Sequence, residues 1–479
     1  MFFLSLFIVY AKSPKTVKNK KNLKKHLIKD ILCSIINCYQ ISSWESITMA
    51  DVRAFKALRF TDKAGNIAKN VCPPYDIISD DERAQYIKES GNNIIRLEKP
   101  IGCDAYNEAK ALYLDWSKEG IIAEDEKKGI YVYEEEFEAL GKTYKIKGMF
   151  VRVRLEEFEK KVVLPHEETL SKAKQDRFDL MCSTYCNFSP IYCMYTDEDR
   201  RVSALVDKMS CGKAEIEFEA RDGVVQRIWK CEDTEVTDKV EELLKDKQLF
   251  IADGHHRYET GLRFRNKLIE DGVIVDDEHP ANFIMMFIID LENDGLVVFP
   301  THRMVTNLEG FDTQKALEGI KEYFDVTEIN ESEIDAKLEE FQEDKASVFV
   351  TDNGKFYLLV MKKNATDKIS QMNQGKSDAY KGLDVTVLHS LVLENILGID
   401  KENMARQINL KYTRDKDEAI YAVKDGNANC SFIINATKVD EIKQVALANE
   451  KMPQKSTYFY PKLITGLVMN RLEKTDILQ

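Results

Sequence analysis

The chain is predicted to be an α+β protein with mixed sheets arranged in two or more lobes. Three observations point there. Strands joined by tight turns outnumber strand–helix–strand crossovers, which favours α+β over a doubly wound sheet. Short strands and medium helices alternate along the whole chain, without internal repeats or long Pro/Gly/Ser linkers. The 479 residues, 44% of them hydrophobic, can bury more than one core.

In chain order, a helix is expected near Asp80–Ser90 and another over Ala105–Lys118. Gly129–Phe137 and Thr143–Leu155 read as a hairpin around Gly141, and Ser171–Tyr185 as a helix. Ala214–Ala220 and Val224–Lys230 flank Arg221-Asp222-Gly223, a hairpin turn signal. A helix over Thr234–Lys245 leads to a strand that ends at Asp253. Phe283–Asp290 is expected to pair with Leu296–Pro300 around Asn293-Asp294-Gly295, and Ser347–Thr351 with Phe356–Met361 around Asn353-Gly354. The last hundred residues alternate helix and strand. The sequence changes character near residue 310, where a charge-rich stretch, Asp312–Lys368, begins. A boundary is expected there, giving regions 49–310 and 311–479.

The net charge is −13, unevenly spread. The first 48 residues hold eight lysines against Asp30 and Glu45, so they carry +6 and the remainder −19. A body that acidic repels a phosphodiester backbone, so no nucleic-acid partner is expected. Phe2 to Tyr10 is apolar but too short to span a bilayer, and its lysines follow the apolar run instead of preceding it. No membrane partner is expected. Residues 1–48 read as a disordered extension that is a mistaken upstream start, a signal anchor or an organelle address; the mistaken start is favoured, with Met49 the expected beginning. The ten cysteines include no Cys-x-x-Cys pair. They read as reduced thiols used as small hydrophobes, which suits a cytoplasmic protein.

Phe250-Ile251-Ala252-Asp253-Gly254-His255-His256-Arg257-Tyr258 carries the chemistry. An apolar strand runs into Asp-Gly, and a helix pattern follows. A helix start offers unpaired N–H groups and the positive end of the helix dipole. Gly254 permits close approach to the backbone, and Arg257 adds a forked donor set matched to phosphate. The segment is predicted to be an anion site, for nucleotide phosphates.

Five of the six histidines after residue 48 lie in polar motifs: His166, His255, His256, His302 and His389. His389 sits in an apolar helix pattern and reads as a core histidine. Pro165-His166-Glu167-Glu168-Thr169 precedes a helix; its carboxylates could bind Mg²⁺, act as a base or cap that helix. Lys172, Lys174 and Arg177 on that helix read as a solvated face. Cys72-Pro73-Pro74-Tyr75-Asp76 is a rigid turn, with Asp76 placed to cap the next helix. Thr301, His302 and Arg303 could form a second anion subsite, and Lys455-Ser456-Thr457 a phosphate-contacting turn. No Gly-x-x-x-x-Gly-Lys-[Ser/Thr] and no Gly-x-Gly-x-x-Gly occurs, which excludes P-loop kinases and removes the common Rossmann and protein-kinase readings.

The Asp253–Arg257 segment resembles the signature of the ParB/sulfiredoxin-like superfamily, in which archaeal free-serine kinases carry Asp-Gly-His-His-Arg. From Met49 onward the chain also resembles the "domain of unknown function 1015" family. The resemblance runs through Val71–Asp76, Pro165–Thr169, Asn187–Tyr192, Ala252–Tyr258, Pro300–Arg303, Leu383–His389 and Met452–Leu463. It implies a ParB/sulfiredoxin-like nucleotide-binding core in 49–310, with 311–479 completing the fold. It also implies a kinase using ATP or ADP with Mg²⁺ on a small hydroxyl substrate, free L-serine first among them.

On that reading Asp76, Glu167, Asp253, His255 and His256 are catalytic. Gly254, His255, His256, Arg257, Thr301, His302, Arg303, Lys455, Ser456 and Thr457 bind nucleotide. Tyr75 and His166 bind substrate, and Asp253 and Glu167 hold the metal. Sulfiredoxin chemistry is excluded, because its thiolate position is His255 here. The alternative is a non-catalytic nucleotide switch or a nucleotide hydrolase.

Overall fold

The computed structural model describes residues 50–167 and 171–473. The expectations for residues 1–48, for Glu168 and for the Lys172 side chain lie outside what it describes. By their internal contacts the described residues form one unit. The described residues form a mixed α/β fold with several sheets.

The largest sheet has nine strands. Its middle is Phe283–Asp290, parallel to Ile191–Tyr195 on one side and antiparallel to Lys142–Arg154 on the other. All eight residues of that strand are buried. Met285, Phe287 and Ile289 enter one apolar cluster, while Ile284, Met286 and Ile288 enter another. Period-two alternation between two buried faces explains why the stretch reads as one unbroken apolar run.

The second cluster is roofed by helices, including Thr234–Leu244 through Val236 and Val240 and His255–Glu270 through Tyr258 and Leu262. The first is covered from the C-terminal end of the chain, by Ile442, Val445, Met452, Phe459 and Leu463. That return of the C-terminal segment brings residues 455–462 back to Leu249–Asp253, a strand antiparallel to Ile191–Tyr195.

The next largest sheet is antiparallel and six-stranded: Phe324–Ile329, Phe356–Met361, Ser347–Thr351, Cys430–Ile434, His302–Val305 and Leu410–Thr413. His302–Val305 pairs on both edges.

Most expected elements form. Ile130–Ala139 pairs with Lys142–Arg154, and Val225–Cys231 with Ile216–Glu219 across Gly223 at φ +84°. Helices run over Asp80–Glu89, Ala105–Glu119 and Ser171–Thr184. One expected hairpin does not form. Val297–Phe299 pairs with Tyr458–Tyr460 instead of with Phe283–Asp290. Both edges of Phe283–Asp290 are already taken, so the turn signal at Asn293-Asp294-Gly295 turns the chain away from the sheet.

Glu135 is fully buried on this sheet and accepts a hydrogen bond from the Tyr133 hydroxyl at 2.8 Å. Burial pushes its carboxyl up to about 8. The folded chain therefore holds this proton while the unfolded chain releases it near pH 4.3. Stability falls as pH rises between those values and levels off above the higher one. Glu135→Gln mimics the neutral acid. It is expected to change the thermal midpoint little at pH 4 and to raise stability at pH 8.5 by about 2–4 kcal/mol. Thermal melts at the two pH values check this; an equal effect at both would contradict it.

Candidate functional site

The strand Leu249–Asp253 ends in Gly254 at φ +94°, and the helix His255–Glu270 begins at once. A Cβ at Gly254 would lie 3.0–3.1 Å from the Arg257 guanidinium. Glycine thus serves both the left-handed turn and the seat of Arg257. Gly254→Ala is expected to cost about 1–2 kcal/mol and to displace the guanidinium. Denaturant titration reads the first effect and nucleotide titration the second; unchanged values in both would contradict this geometry.

Asp253 is held between two cations. Its Oδ2 accepts from Arg257 Nη2 at 2.6 Å, and its Oδ1 pairs with Lys462 Nζ. Arg257 Nη1 also donates to the Pro190 carbonyl. Burial alone would raise the Asp253 carboxyl, but Lys462 and Arg257 hold it well below the usual carboxylate range. The same pairing raises Lys462 against the opposing effect of its burial.

His166 and His255 pack edge to face, ring centres 4.7 Å apart. The His166 backbone N–H donates to His255 Nε2 at 3.2 Å. His166 Nδ1 lies 2.5 Å from the Ile251 carbonyl, and its Nε2 lies 3.0 Å from the Thr457 hydroxyl. Burial lowers His166 to about 4 and His255 well below its ordinary value. Both rings are neutral at pH 7. His166 Nδ1–H therefore donates to Ile251, and its Nε2 accepts from Thr457. His256 is half-buried at the helix start, also lowered by burial.

Around this loop lies a cleft of about 670 Å³. One wall carries Tyr75, Asp76 and Glu167 beside Asp253–Arg257. Thr301, Lys411, Tyr412, Arg414, Lys455, Thr457, Tyr458 and Lys462 line the same cleft. Segments far apart in sequence converge because residues 452–463 fold back over the large sheet.

Asp76 stands in the short turn Tyr75–Ile77; the cap of Asp80–Glu89 is Ser79, in a capping box with Glu82. Glu167 Oε1 accepts from the Lys455 backbone N–H at 2.8 Å, and burial raises its carboxyl.

The remaining candidates lie outside the cleft lining. Arg303 is fully buried beneath it: Nε donates to His389 Nε2 at 3.2 Å, Nη2 to the Lys455 carbonyl at 3.1 Å, and Nη1 to the Thr301 carbonyl. It braces two residues of the wall. His302 is buried on its strand and accepts from the Ile434 N–H at 3.3 Å. Ser456 is buried, its hydroxyl turned to the Pro453 carbonyl. A residue between two wall residues, Lys455 and Thr457, points the other way.

The helix Ser171–Thr184 corrects one expectation. Arg177 is buried instead of solvated: it pairs with Glu98 at 3.4 Å and lies over the Tyr75 ring at 3.8 Å. Glu98 is itself buried and accepts from Ser189 at 2.8 Å. This buried network fixes the Tyr75 ring. Burial pushes the Tyr75 phenol up to about 12, so it stays neutral.

Lys462, Tyr458 and Arg414 escaped the sequence reading. Arg414 lies 4.0 Å and Lys462 4.5 Å from the Tyr458 ring centre. Tyr458 and Lys462 fall within the Met452–Leu463 motif, which was the available signal; Arg414 lies in none.

Among the described residues no three His, Cys, Asp or Glu side chains gather as a metal site. Both Asp253 oxygens are already engaged by Lys462 and Arg257. The described residues alone make no preformed cage for Mg²⁺. No helix among the described residues is long and apolar enough to cross a membrane.

The fold and cleft define an α/β protein with a cation-rich pocket at a helix start. The chain belongs to the family described as protein of unknown function (DUF1015), whose model matches residues 52–386. Solved structures similar to it include a mutant free serine kinase in complex with AMP, at 14% identity and TM-score 0.35, covering 68% of this chain and 92% of that one. Another mutant of free serine kinase, in complex with ADP, shows 15% identity and TM-score 0.35, with the same 68% and 92% coverage. SbnI with a C-terminal truncation, from Staphylococcus aureus, shows 10% identity and TM-score 0.33, covering 68% and 90%. No curated protein sequence matches.

Proposed function

We propose that the cleft binds ATP or ADP and transfers a phosphoryl group to a small hydroxyl compound, free L-serine being the first candidate acceptor. What supports this reading is the gathering of the Asp253–Arg257 loop, Asp76, Glu167, Thr301, Lys455 and Thr457 around one cavity. Phosphoryl transfer needs positioned phosphates, charge neutralisation and a base on the attacking hydroxyl.

The amides that open the helix after Gly254, together with Arg257, cradle phosphate. Lys455 and Lys462, which line the same cleft, neutralise charge. Asp253 orients Arg257 and Lys462 and supplies no proton, because its carboxyl is held ionised. Glu167, with its raised carboxyl, and Asp76 are the candidate bases. His255 and His166, both neutral, hold the loop against Thr457, and His256 stands at the phosphate end of the cleft. Tyr75, locked by Arg177, presents a neutral hydroxyl to the acceptor.

Mg²⁺ suits the site as an ion carried by the nucleotide, since it takes one or two carboxylates plus phosphate oxygens. Glu167 and Asp253 would hold it there, Asp253 by exchanging one cationic partner, and it would neutralise phosphate charge.

The experiment is incubation with ATP, ADP or CTP and pooled amino acids, followed by mass spectrometry. The expected result is O-phosphoserine formed with one of the adenine nucleotides. Nucleotide binding without any phosphorylated or hydrolysed product would favour a nucleotide-binding switch instead.

A further inference from the structure

We propose that a cavity behind the Lys455 wall is a second ligand site, for an organic dianion of amino-acid size, and that its occupancy is felt in the nucleotide cleft. The cavity measures about 180 Å³, the space of roughly six waters at about 30 Å³ each. It lies between the segment 373–405 and the chain at 451–454, with Tyr412 bordering both this cavity and the cleft.

Its chemistry is that of an anion site. Lys376, Lys401 and Lys451 line it from three separate segments, against one lining carboxylate, Glu394; Lys451 also lies 3.9 Å from Glu259 outside the cavity. Thr386 also lines it and is 1% exposed, yet its hydroxyl has no hydrogen-bond partner in the protein. A buried orphan hydroxyl costs about 1–3 kcal/mol, a cost that a bound acceptor oxygen removes. His389 accepts from Arg303 through Nε2, so its Nδ1 carries the proton and is a further donor. The floor is Leu388–Glu394, wound as a π-helix, a form rare enough in folded chains to mark functional positions. Net positive lining with a hydroxyl donor fits two negative groups on a short carbon frame, either a dicarboxylate or a phosphorylated amino acid.

The link to the cleft is short. His389 in this cavity holds Arg303, and Arg303 holds the Lys455 and Thr301 carbonyls of the cleft wall. A ligand that shifts His389 or Tyr412 shifts that wall. Any such coupling must be reciprocal.

Calorimetric titration of the full-length protein with succinate and with O-phospho-L-serine tests this, acetate and inorganic phosphate serving as single-group controls. The expected result is saturable binding of at least one dianion, and which one binds separates the dicarboxylate from the phosphorylated source. Thr386→Val is expected to weaken that binding on the order of tenfold while leaving or raising the thermal midpoint. A merely structural threonine would not give those opposite effects. Lys401→Ala is expected to weaken binding with the midpoint unchanged. Saturating dianion should change ADP affinity, and ADP should change dianion affinity by the same factor.

No saturable binding of either dianion, or binding unaltered in both variants, overturns the site. Binding lost only in Lys462→Met overturns it too, by placing the ligand in the main cleft. An ADP affinity indifferent to bound dianion overturns the coupling. These readouts need no phosphoryl transfer, so they stand or fall apart from the proposed kinase activity.

Discussion

Arg257→Ala is expected to lower nucleotide-dependent turnover by roughly 30- to 1000-fold, a loss of about 2–4 kcal/mol of transition-state stabilisation. The guanidinium sits at the helix start beside Gly254, braced by Asp253 and by the Pro190 carbonyl. Those contacts aim it without consuming all five of its donors. Asp253 keeps Lys462 as a partner in the variant, so the chain should still fold, at a cost in stability comparable to that of losing Lys462. Steady-state kinetics with a circular-dichroism melt as the folding control check both halves. Wild-type turnover in a folded Arg257→Ala protein would show that the loop does not handle phosphate.

Lys462→Met should act on stability as well as activity. It removes one of the two cations on Asp253 and leaves a largely buried carboxylate half-compensated, a change that costs about 2–4 kcal/mol. The sign with pH follows from the two shifts. The lowered Asp253 carboxyl contributes stability above its unfolded value near 3.9, lost as pH falls through the folded value. The raised Lys462 ammonium contributes below its unfolded value near 10.4, lost as pH rises through the folded one. Destabilisation by Lys462→Met should thus be full near neutrality and shrink at either extreme. Adding Asp253→Asn should restore most of the stability, because the stranded charge is gone, and none of the activity, expected to fall about a hundredfold. Denaturant melts of the single and double variants, paired with kcat/KM, test this. Additive stability losses would mean that Lys462 and Asp253 do not act as a pair.

The parts of this molecule that could be read from sequence are those whose determinants are local. The strand–Gly–helix at residues 250–260 needs only neighbouring residues to specify it, and so does the turn at Arg221-Asp222-Gly223. The pairing of Val297–Phe299 with Tyr458–Tyr460 could not be read, because the partner lies more than 150 residues away and the local turn signal pointed elsewhere. Arg177 looked like part of a solvated lysine-rich face, since its buried partner Glu98 comes from another helix. Lys462 stood within a motif already noticed, yet its importance comes from meeting Asp253, which only the return of the C-terminal segment brings about. His302 and Ser456 sit beside cleft residues in sequence but face away, a parity that the motifs did not reveal.

The most direct measurement of the central claim is a calorimetric titration of the full-length protein with ATP and ADP, in parallel with Arg257→Ala. The account expects saturable binding of at least one adenine nucleotide at a single site, weakened at least tenfold by the substitution, in line with a charge-assisted phosphate contact. No saturable binding of either nucleotide, or equal affinity in the two proteins, would contradict it.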